Sequence, residues 1–414
     1  MIRLSPLSES GLRLCLKRFV SFGDLGVDSK IVKGLRKLNI LNATDIQVKS
    51  IPLGLRNCSP IAISSETGSG KTLAYLVPFL NHLITDPHLR MLVLLPRKEL
   101  AFQVEQVVHQ LAPNAATAVA VGKWKGMEEG VFPSIVLGTP KPVYEYLRRA
   151  FGKKSLEMLQ QYRRTFSTLV LDEADVVLND PFYRYTLDSL HLLERANADL
   201  QVVAAGATLP RNGKMTAGGI LSHEFPQIYW CETSGRSSVP ENIRVRFIEQ
   251  VEEEQKMNEL KKLAGKLRGG NSILFVRNAS RAEQVAESLA GMNIKVQVLS
   301  QDLDDVQRDQ AVRRVLEGSA MCTVCTDLVS RGLDTRNVNL VVQYDFATDV
   351  SAFLHRCGRT GRNGAQGEVI CFVSPENELL ASRIQKCGVH NDLSSLFSRK
   401  RLLRKKAKKE GCCV

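Results

Sequence analysis

Two short polar segments contain side chains that can bind and cleave a phosphate group. Residues 65–72 read Ser-Glu-Thr-Gly-Ser-Gly-Lys-Thr, and residues 172–175 read Asp-Glu-Ala-Asp. Each segment follows a short apolar run, at 61–63 and at 169–171. The pattern predicts that both lie where a buried parallel strand ends, which is the usual ligand edge of a doubly wound sheet. Together they indicate hydrolysis of a nucleoside triphosphate.

The first segment has the residue types of a phosphate-binding loop. Successive backbone N–H groups from Gly68 through Ser69 and Gly70 to Thr72 can converge on phosphate oxygens. Lys71 can neutralise the terminal phosphates, and the hydroxyl of Thr72 can hold Mg²⁺. The helix expected to follow adds its positive end to the same site.

The second segment supplies carboxylates for the metal and for water. Asp172 is predicted to bind Mg²⁺, largely through water, because Mg²⁺ keeps much of its hydration shell. Glu173 is placed to orient and deprotonate the attacking water. Asp175 is expected to make a structural or coupling hydrogen bond.

A basic segment far downstream offers cations that the phosphate site lacks. Residues 355–362 read His-Arg-Cys-Gly-Arg-Thr-Gly-Arg. Arg359 and Arg362 are interpreted as arginine fingers that reach an anion across a cleft. Their spacing of three residues would let them point the same way on one helical turn. With Lys71 and Glu173, they form the predicted catalytic set.

Apolar runs indicate the elements that must position these segments. The runs are 60–63, 91–95, 117–121, 135–137, 168–171 and 201–205, then 243–248, 273–276, 295–299, 322–325, 340–344 and 368–373. They alternate with helical stretches, which predicts two α/β domains, each a parallel sheet covered by helices. The predicted divisions are a basic extension (1–20), an N-terminal domain (21–231), a linker (232–241), a C-terminal domain (242–387) and a basic tail (388–414).

The charge of the chain favours an anionic partner. The net charge is +13, and residues 399–409 carry eight positive charges and no negative one. Nucleic acid is the commonest partner of such a chain. The ten cysteines are scattered, and the pair at 322 and 325 lacks the second pair that a zinc site needs. No apolar run approaches the roughly 18 residues of a membrane span, so no membrane association is expected.

In combination, the motifs resemble those of the DEAD-box RNA helicases over residues 20–385. Besides 66–72, 172–175 and 355–362, the resemblance is carried by Gly206-Ala207-Thr208, Thr326-Asp327 and Arg331-Gly332-Leu333-Asp334. It implies two tandem RecA-like domains joined by a short linker. It also implies ATP and Mg²⁺ as cofactors and RNA as the partner of a protein that acts as a monomer.

The resemblance assigns further roles around the nucleotide. Phe22 matches an aromatic residue that stacks on adenine, Gln47 matches the amide that bonds the adenine edge, and Asp334 matches a ribose contact. Gly206 and Thr208 match the motif that couples ATP to RNA. Because Gly206 stands where the family commonly has Ser, a hydroxyl near Asp175 is missing and altered coupling is predicted.

Contacts to RNA phosphate and sugar are also implied, without sequence-specific readout. The residues at the matching positions are Lys98, Gly122, Thr139, Gln307, Arg308, Thr326 and Arg331. Lys98 stands where the family usually has Arg, so the charge is kept but the bidentate fork is lost.

The predicted function is ATP-dependent unwinding of short RNA duplexes. ATP and RNA would close the two domains, bend the bound strand, and release it after hydrolysis. Two alternatives remain open, namely an ATP-gated RNA clamp or assembly scaffold with incidental unwinding, and a DNA translocase with the same engine.

The composition of residues 1–20 bears on location. This stretch contains four cations, three serines and one acid, which is typical of a mitochondrial transit peptide. With Gly-Ala-Thr at 206–208, the chain is similar to the mitochondrial DEAD-box branch involved in assembly of the large mitoribosomal subunit. That similarity implies the mitochondrial matrix, ribosomal RNA and ribosome-assembly proteins, with the nucleus, nucleolus or cytoplasm as alternative locations.

Overall fold

The computed structural model divides into two compact units, the first of which ends at Thr233. The structure describes residues 20–66, 68–122, 133–151, 166–211, 213, 216–233, 238–249, 252–300, 303, 307, 310, 311, 313, 314, 322–327 and 338–396. Each unit is built around one parallel sheet.

The first unit contains a seven-stranded sheet. Its strands are β1 (Ile61–Ser64), β2 (Met91–Leu94), β3 (Thr117–Ala120), β4 (Ile135–Gly138), β5 (Thr168–Asp172), β6 (Gln201–Gly206) and β7 (Tyr229–Glu232). The strand order is β3-β4-β2-β5-β6-β1-β7. Its described helices are α1 (Ser29–Lys37), α2 (Asp45–Leu55), α3 (Lys71–Thr85), α4 (Lys98–Leu111), α5 (Pro140–Phe151), α6 (Ala174–Val177), α7 (Tyr183–Ala196) and α8 (Ala217–Glu224).

Helices cover both faces of this sheet because its strands are apolar on both sides. In β1, Ile61 and Ile63 belong to one hydrophobic core and Ala62 belongs to the other. Strands buried on both faces are typical of parallel sheets in doubly wound folds. β1 runs into the glycine-rich loop and β5 ends at Asp172, with only β6 between them. The sheet therefore presents both polar segments at its carboxyl edge, as predicted.

The second unit contains a six-stranded sheet. Its strands are β8 (Ile243–Ile248), β9 (Asn271–Phe275), β10 (Val296–Leu299), β11 (Cys322–Cys325), β12 (Val338–Gln343) and β13 (Gly367–Phe372), in the order β10-β11-β9-β12-β13-β8. Its described helices are α9 (Glu253–Lys262), α10 (Ala264–Arg268), α11 (Ala279–Ala290), α12 (Val350–Cys357) and α13 (Glu378–Cys387). Cys322 and Cys325 lie in different cores on opposite faces of this sheet, which agrees with the rejection of a zinc pair.

Two features differ from the prediction. β7 was not predicted, and it contains Glu232, the residue at which the predicted linker begins. The predicted basic tail also begins too early, because Leu393 is fully buried in the core of the second unit. The backbone of Val239 bonds that of Val389 at 2.8 Å, which fixes the start of this segment against the same unit.

The predicted α/β class is confirmed by these two parallel sheets. Within the described segments, no helix has both the length and the apolarity needed to cross a membrane.

Candidate active site

The glycine-rich loop connects β1 to α3 and bends through left-handed backbone conformations. Gly68 and Gly70 have φ angles of +81° and +90°, a region that side chains with a Cβ rarely adopt. A Cβ at Gly70 would also collide with the Nε2 atom of Gln47. The loop therefore needs glycine at position 70 for both conformation and space. Thr67 lies outside the described residues.

Side chains from the first residue of α3 and from the start of α2 hold this loop in place. The Lys71 ammonium donates to the Ser65 carbonyl oxygen at 2.7 Å. Thr44 donates its hydroxyl to the Ser69 carbonyl oxygen at 2.8 Å, and Gln47 donates Nε2 to the Gly70 carbonyl oxygen at 2.9 Å. The amide oxygen of Gln47 accepts from the Thr44 N–H at 2.9 Å, so this side chain is fixed at both ends. The predicted adenine-reading segment thus contacts the predicted phosphate loop directly.

Asp172 lies at the end of β5 with both carboxylate oxygens hydrogen-bonded. Oδ2 accepts from the Tyr75 hydroxyl at 2.8 Å, and Oδ1 accepts from the Glu173 N–H at 2.9 Å. Burial raises the pKa of Asp172 from 3.8 to about 6, while the Tyr75 hydrogen bond acts in the opposite direction. A strand end and a helix start therefore place a buried acid beside the phosphate loop.

Tyr75 was not identified from the sequence, although it connects α3 to the predicted magnesium ligand Asp172. Its hydroxyl donates to Asp172 Oδ2 at 2.8 Å, and the residue is 3% exposed. Tyr75 lies four residues after Lys71 and three after Thr72, so all three share one face of α3. A polar group at that spacing, within the otherwise apolar stretch 73–80, was the available signal.

Glu173 has the geometry expected of a catalytic base. Its φ angle is +48°, a left-handed conformation that non-glycine residues seldom adopt and that often marks functional positions. Its Oε2 atom is buried and has no hydrogen-bond partner among the described residues. A buried carboxylate oxygen without a partner is expensive to keep, so its retention fits a group that must accept a proton from water.

The donor set at this edge fits a magnesium ion. Thr72 and Asp172 offer oxygen ligands, which Mg²⁺ prefers, and the Tyr75 hydroxyl fixes the Asp172 side chain. When bound, the ion would neutralise charge on the phosphates. The protein itself would supply the oxygen ligands and the base.

The pKa of Asp172 leads to a test at low pH. The carboxylate form needed for Mg²⁺ is lost by protonation as the pH falls through about 6, so Mg²⁺-dependent nucleotide binding should weaken between pH 7.5 and 5.5. Binding of a fluorescent ADP should be measured in Mg²⁺ and in EDTA across that range. In the Asp172→Asn variant the pH dependence should disappear. Equal pH profiles in Mg²⁺ and in EDTA would contradict this expectation.

The predicted coupling residues Asp175, Gly206 and Thr208 lie close together at the ends of β5 and β6. Asp175 accepts through Oδ2 from the Thr208 hydroxyl at 3.3 Å, and its carbonyl oxygen accepts from the Asn179 amide at 2.6 Å. A Cβ added at Gly206 would lie 3.0 Å from Asp175 Oδ1 and 2.8 Å from a terminal methyl of Leu209. A hydroxyl at position 206 would therefore reach Asp175 after a small shift of Leu209.

Gly206→Ser tests the effect of this missing hydroxyl. We expect the variant to change the number of base pairs separated per ATP hydrolysed, because a new bond to Asp175 would tie β6 to the acidic segment. Parallel ATPase and duplex-separation assays measure the ratio. Gly206→Ala is the matched control, since it adds the Cβ without the hydroxyl. The expectation is wrong if Ser and Ala give the same ratio as the parent chain.

The structure brings three predicted RNA contacts to neighbouring strand ends. Lys98 begins α4 shortly after β2, Gly122 follows β3 with a φ angle of +58°, and Thr139 follows β4 directly. These strands are adjacent in the order β3-β4-β2. The three residues therefore form one row along the carboxyl edge of the first sheet, which we call the RNA edge.

Phe22 lies in an environment that its predicted role did not anticipate. The ring is 1% exposed and belongs to the same core as the apolar residues of α1 and α3. It presents no open face to a base, so stacking on adenine would require the ring to turn out of this core. The adenine role of Phe22 stays a prediction.

In the second unit, the two predicted arginine fingers are not on one helical turn. α12 ends at Cys357, and Gly361 has a φ angle of +68°, so the backbone turns between Arg359 and Arg362. Arg359 is 2% exposed and donates Nε to the His355 carbonyl oxygen at 3.0 Å. Arg362 is half-buried and donates Nε to the Gly358 carbonyl oxygen at 3.1 Å. The argument from helical spacing was therefore wrong, because glycine ends the helix before both residues.

Arg356, in the same segment, has a structural role. Its guanidinium forms a bidentate pair with Asp327 at 2.6 and 2.8 Å, and Nη1 donates to the Asp345 carbonyl oxygen at 2.5 Å. The guanidinium also lies 5.0 Å from the ring centroid of Phe275. Arg356 therefore connects β9, the end of β11 and the end of β12, and it is 2% exposed.

The remaining predicted RNA and ribose contacts are only partly described. Thr326 follows β11, and its buried hydroxyl oxygen has no partner among the described residues, which leaves it able to bind an added ligand. Gln307 is exposed. Arg308, Arg331 and Asp334 lie outside the described residues.

Two protein families match the chain over most of both units. The DEAD/DEAH box helicase family matches residues 44–216, and the helicase conserved C-terminal domain matches residues 255–364. These ranges include the phosphate loop, the acidic segment and the arginine segment.

Individual proteins agree with these families. The DEAD-box ATP-dependent RNA helicase CshA of Bacillus licheniformis is 28% identical over 375 residues, which is 89% of this chain and 73% of that protein. CshA of Listeria monocytogenes is 30% identical over 362 residues, covering 86% and 66% of the two chains. Among solved structures, S. cerevisiae Dbp5 bound to RNA and ADP BeF3 is 27% identical, with a TM-score of 0.76 over 88% of this chain and 93% of that one.

The two parallel-sheet units are thus tandem RecA-like domains, as the sequence predicted. Because the family motifs, the fold and the geometry of the phosphate and acid segments agree, this chain belongs to the DEAD-box family and is an ATP-dependent RNA helicase.

Proposed function

We propose that this helicase separates short RNA duplexes, or remodels RNA–protein complexes, during assembly of the mitochondrial ribosome. The RNA edge supports local and sequence-independent unwinding, because Lys98, Gly122 and Thr139 offer charge, backbone and hydroxyl groups suited to phosphate and sugar. The observation that carries the mitochondrial part is the composition of residues 1–20, with four cations and one acid.

In this proposal each site residue has one task. Lys71 would neutralise the terminal phosphates, and Thr72 and Asp172 would hold Mg²⁺ through their oxygen atoms. Glu173 takes a proton from the attacking water at its buried Oε2 atom. Arg359 and Arg362 would stabilise charge that develops on the phosphate.

The RNA and the location are tested by one combined experiment in cells. The full chain carries a C-terminal tag, its location is imaged, and RNA crosslinked to it is sequenced. We expect a mitochondrial signal and enrichment of mitochondrial ribosomal RNA over mitochondrial messages of similar abundance. Enrichment of cytosolic messages alone would contradict the proposal.

A second candidate function is an ATP-gated RNA clamp in which strand separation is incidental. Gly206 favours it, because the hydroxyl that would join β6 to Asp175 is missing. Cells in which Glu173→Gln replaces the parent chain separate the two candidates, since this variant should hold RNA without turnover. Normal ribosome assembly in those cells would support the clamp, and failed assembly would support the unwinding enzyme.

A further inference from the structure

The outer face of α1 carries an unusual concentration of positive charge. The helix reads Ser-Lys-Ile-Val-Lys-Gly-Leu-Arg-Lys and contains no acidic residue. All four of its cations are exposed, and they are Lys30, Lys33, Arg36 and Lys37. We call them the basic face of α1. The opposite side of the helix is buried through Ile31, Gly34 and Leu35.

Helix stability alone does not account for this face. Arg36 and Lys37 lie in the last turn, where cations favour the helix dipole. Lys30 lies in the first turn, where the dipole disfavours a cation. Lys33 is three residues from Lys30 and from Arg36 and four from Lys37, so like charges repel along the whole face. No described carboxylate forms an ion pair with any of the four.

The position of α1 relates this face to the RNA edge. Gly34 packs against the backbone of Leu111, since a Cβ at Gly34 would lie 3.3 Å from the Leu111 carbonyl oxygen. Leu111 is the last residue of α4, and Lys98 is the first. At 1.5 Å per residue, these two ends of α4 are about 20 Å apart. α1 therefore packs at the end of α4 opposite Lys98, so an RNA held at the RNA edge must extend by about 20 Å to reach the basic face.

We propose that the basic face of α1 is an accessory surface that binds the phosphate backbone of RNA extending beyond the RNA edge. The four cations span about 10 Å along the helix axis, which suits successive phosphates of one strand. The exposed positions of α1 hold one serine and four cations, without the apolar or aromatic side chains that anchor protein interfaces. Bound phosphates would remove the repulsion within the face.

The test compares two RNAs on the full chain. One is a single strand of ten nucleotides that fills the RNA edge, and the other carries the same sequence with a twenty-nucleotide extension. The variant is Lys30→Gln/Lys33→Gln/Arg36→Gln, in which all changes lie on the solvent side. Affinity should be measured between 50 and 200 mM salt.

We expect the variant to lose on the order of tenfold in affinity for the long RNA at low salt. The slope of log affinity against log salt should fall by about 2, since each lost single-strand phosphate contact contributes about 0.7. Affinity for the short RNA and the ATPase rate that it stimulates should match those of the parent chain. The arginine variant Lys30→Arg/Lys33→Arg keeps the charge and should bind the long RNA normally.

A matched control removes equal charge elsewhere. Lys261→Gln/Lys262→Gln/Lys266→Gln neutralises three exposed lysines of the second unit, two of which pair with Glu259 and Glu368. An equal loss in this control would show a general charge effect and overturn the proposal. An unchanged salt slope in the α1 variant would also overturn the proposal. Unaltered binding of purified RNA by that variant would overturn it too, and would indicate an acidic protein as the ligand of this face. The short RNA measures binding by the RNA edge alone. A defect of the helicase core would therefore weaken binding of both RNAs, whereas loss of the basic face should weaken binding of the long RNA only.

Discussion

Replacing Glu173 with Gln is expected to lower the RNA-stimulated ATPase rate by about 10²–10⁴-fold, the range for loss of a general base. The amide keeps the size and shape of the side chain, but it cannot accept a proton from water. The left-handed backbone at this position should be kept, and an atom of the amide group should occupy the buried position that Oε2 holds in the parent chain. ATP and RNA should therefore still bind, and the complex should persist because turnover is blocked.

Single-turnover hydrolysis and RNA dissociation in the presence of ATP measure the two effects separately. Glu145→Gln changes an exposed glutamate of the same unit and serves as the control, with parent rates expected. A Glu173→Gln rate within about threefold of the parent rate would remove Glu173 from the role of base.

Replacing Arg356 with Gln is expected to destabilise the second unit by about 3 kcal/mol, the lower end of the range for breaking a buried ion pair from one side, because the Asp327 side chain is 29% exposed. The change would leave the Asp327 carboxylate without its bidentate partner and the Asp345 carbonyl oxygen without its donor. Packing against Phe275 would also be lost. Denaturant unfolding of the full chain, followed through the transition of the second unit, measures the effect.

Two variants separate this structural role from catalysis. Arg313→Gln alters an exposed arginine of the same unit and should change stability by less than about 0.5 kcal/mol. Arg362→Gln should reduce the ATPase rate with little change in stability, because Arg362 is only half-buried. A loss below about 1 kcal/mol in Arg356→Gln would show that the pair with Asp327 is not a support of the fold.

Sequence patterns predicted the fold because buried parallel strands leave a local signature. Among the residues that the structure describes, the twelve apolar runs correspond to twelve strands, and β7 is the one strand that was missed. This strand reads Tyr-Trp-Cys-Glu, its first residue is 48% exposed, and it lies at the sheet edge. An edge strand needs only one buried face, so four residues of mixed polarity are enough and no apolar run appears.

The chemistry of the site was predictable where it depends on residue type and spacing. Lys71, Thr72 and Asp172 follow from the loop and from the strand ends that position it. The bond from Tyr75 to Asp172 joins residues 97 positions apart, and that from Arg356 to Asp327 joins residues 29 apart. Such long separations in sequence leave no periodic signal. Which residues meet in these two contacts depends on the order of the strands in each sheet, and no local pattern specifies that order.

The hydrogen bonds from Thr44 and Gln47 to the carbonyl oxygens of Ser69 and Gly70 connect the start of α2 directly to the phosphate loop. If a ligand bound at one of these two segments changes the binding free energy at the other, the reverse effect has the same size, because thermodynamic coupling is reciprocal. The predicted contact of Gln47 with the base would compete with its bond to Gly70, and phosphates that reorder Gly70 would change the amide that the base meets. We therefore expect selectivity for the base and affinity for the phosphates to be coupled.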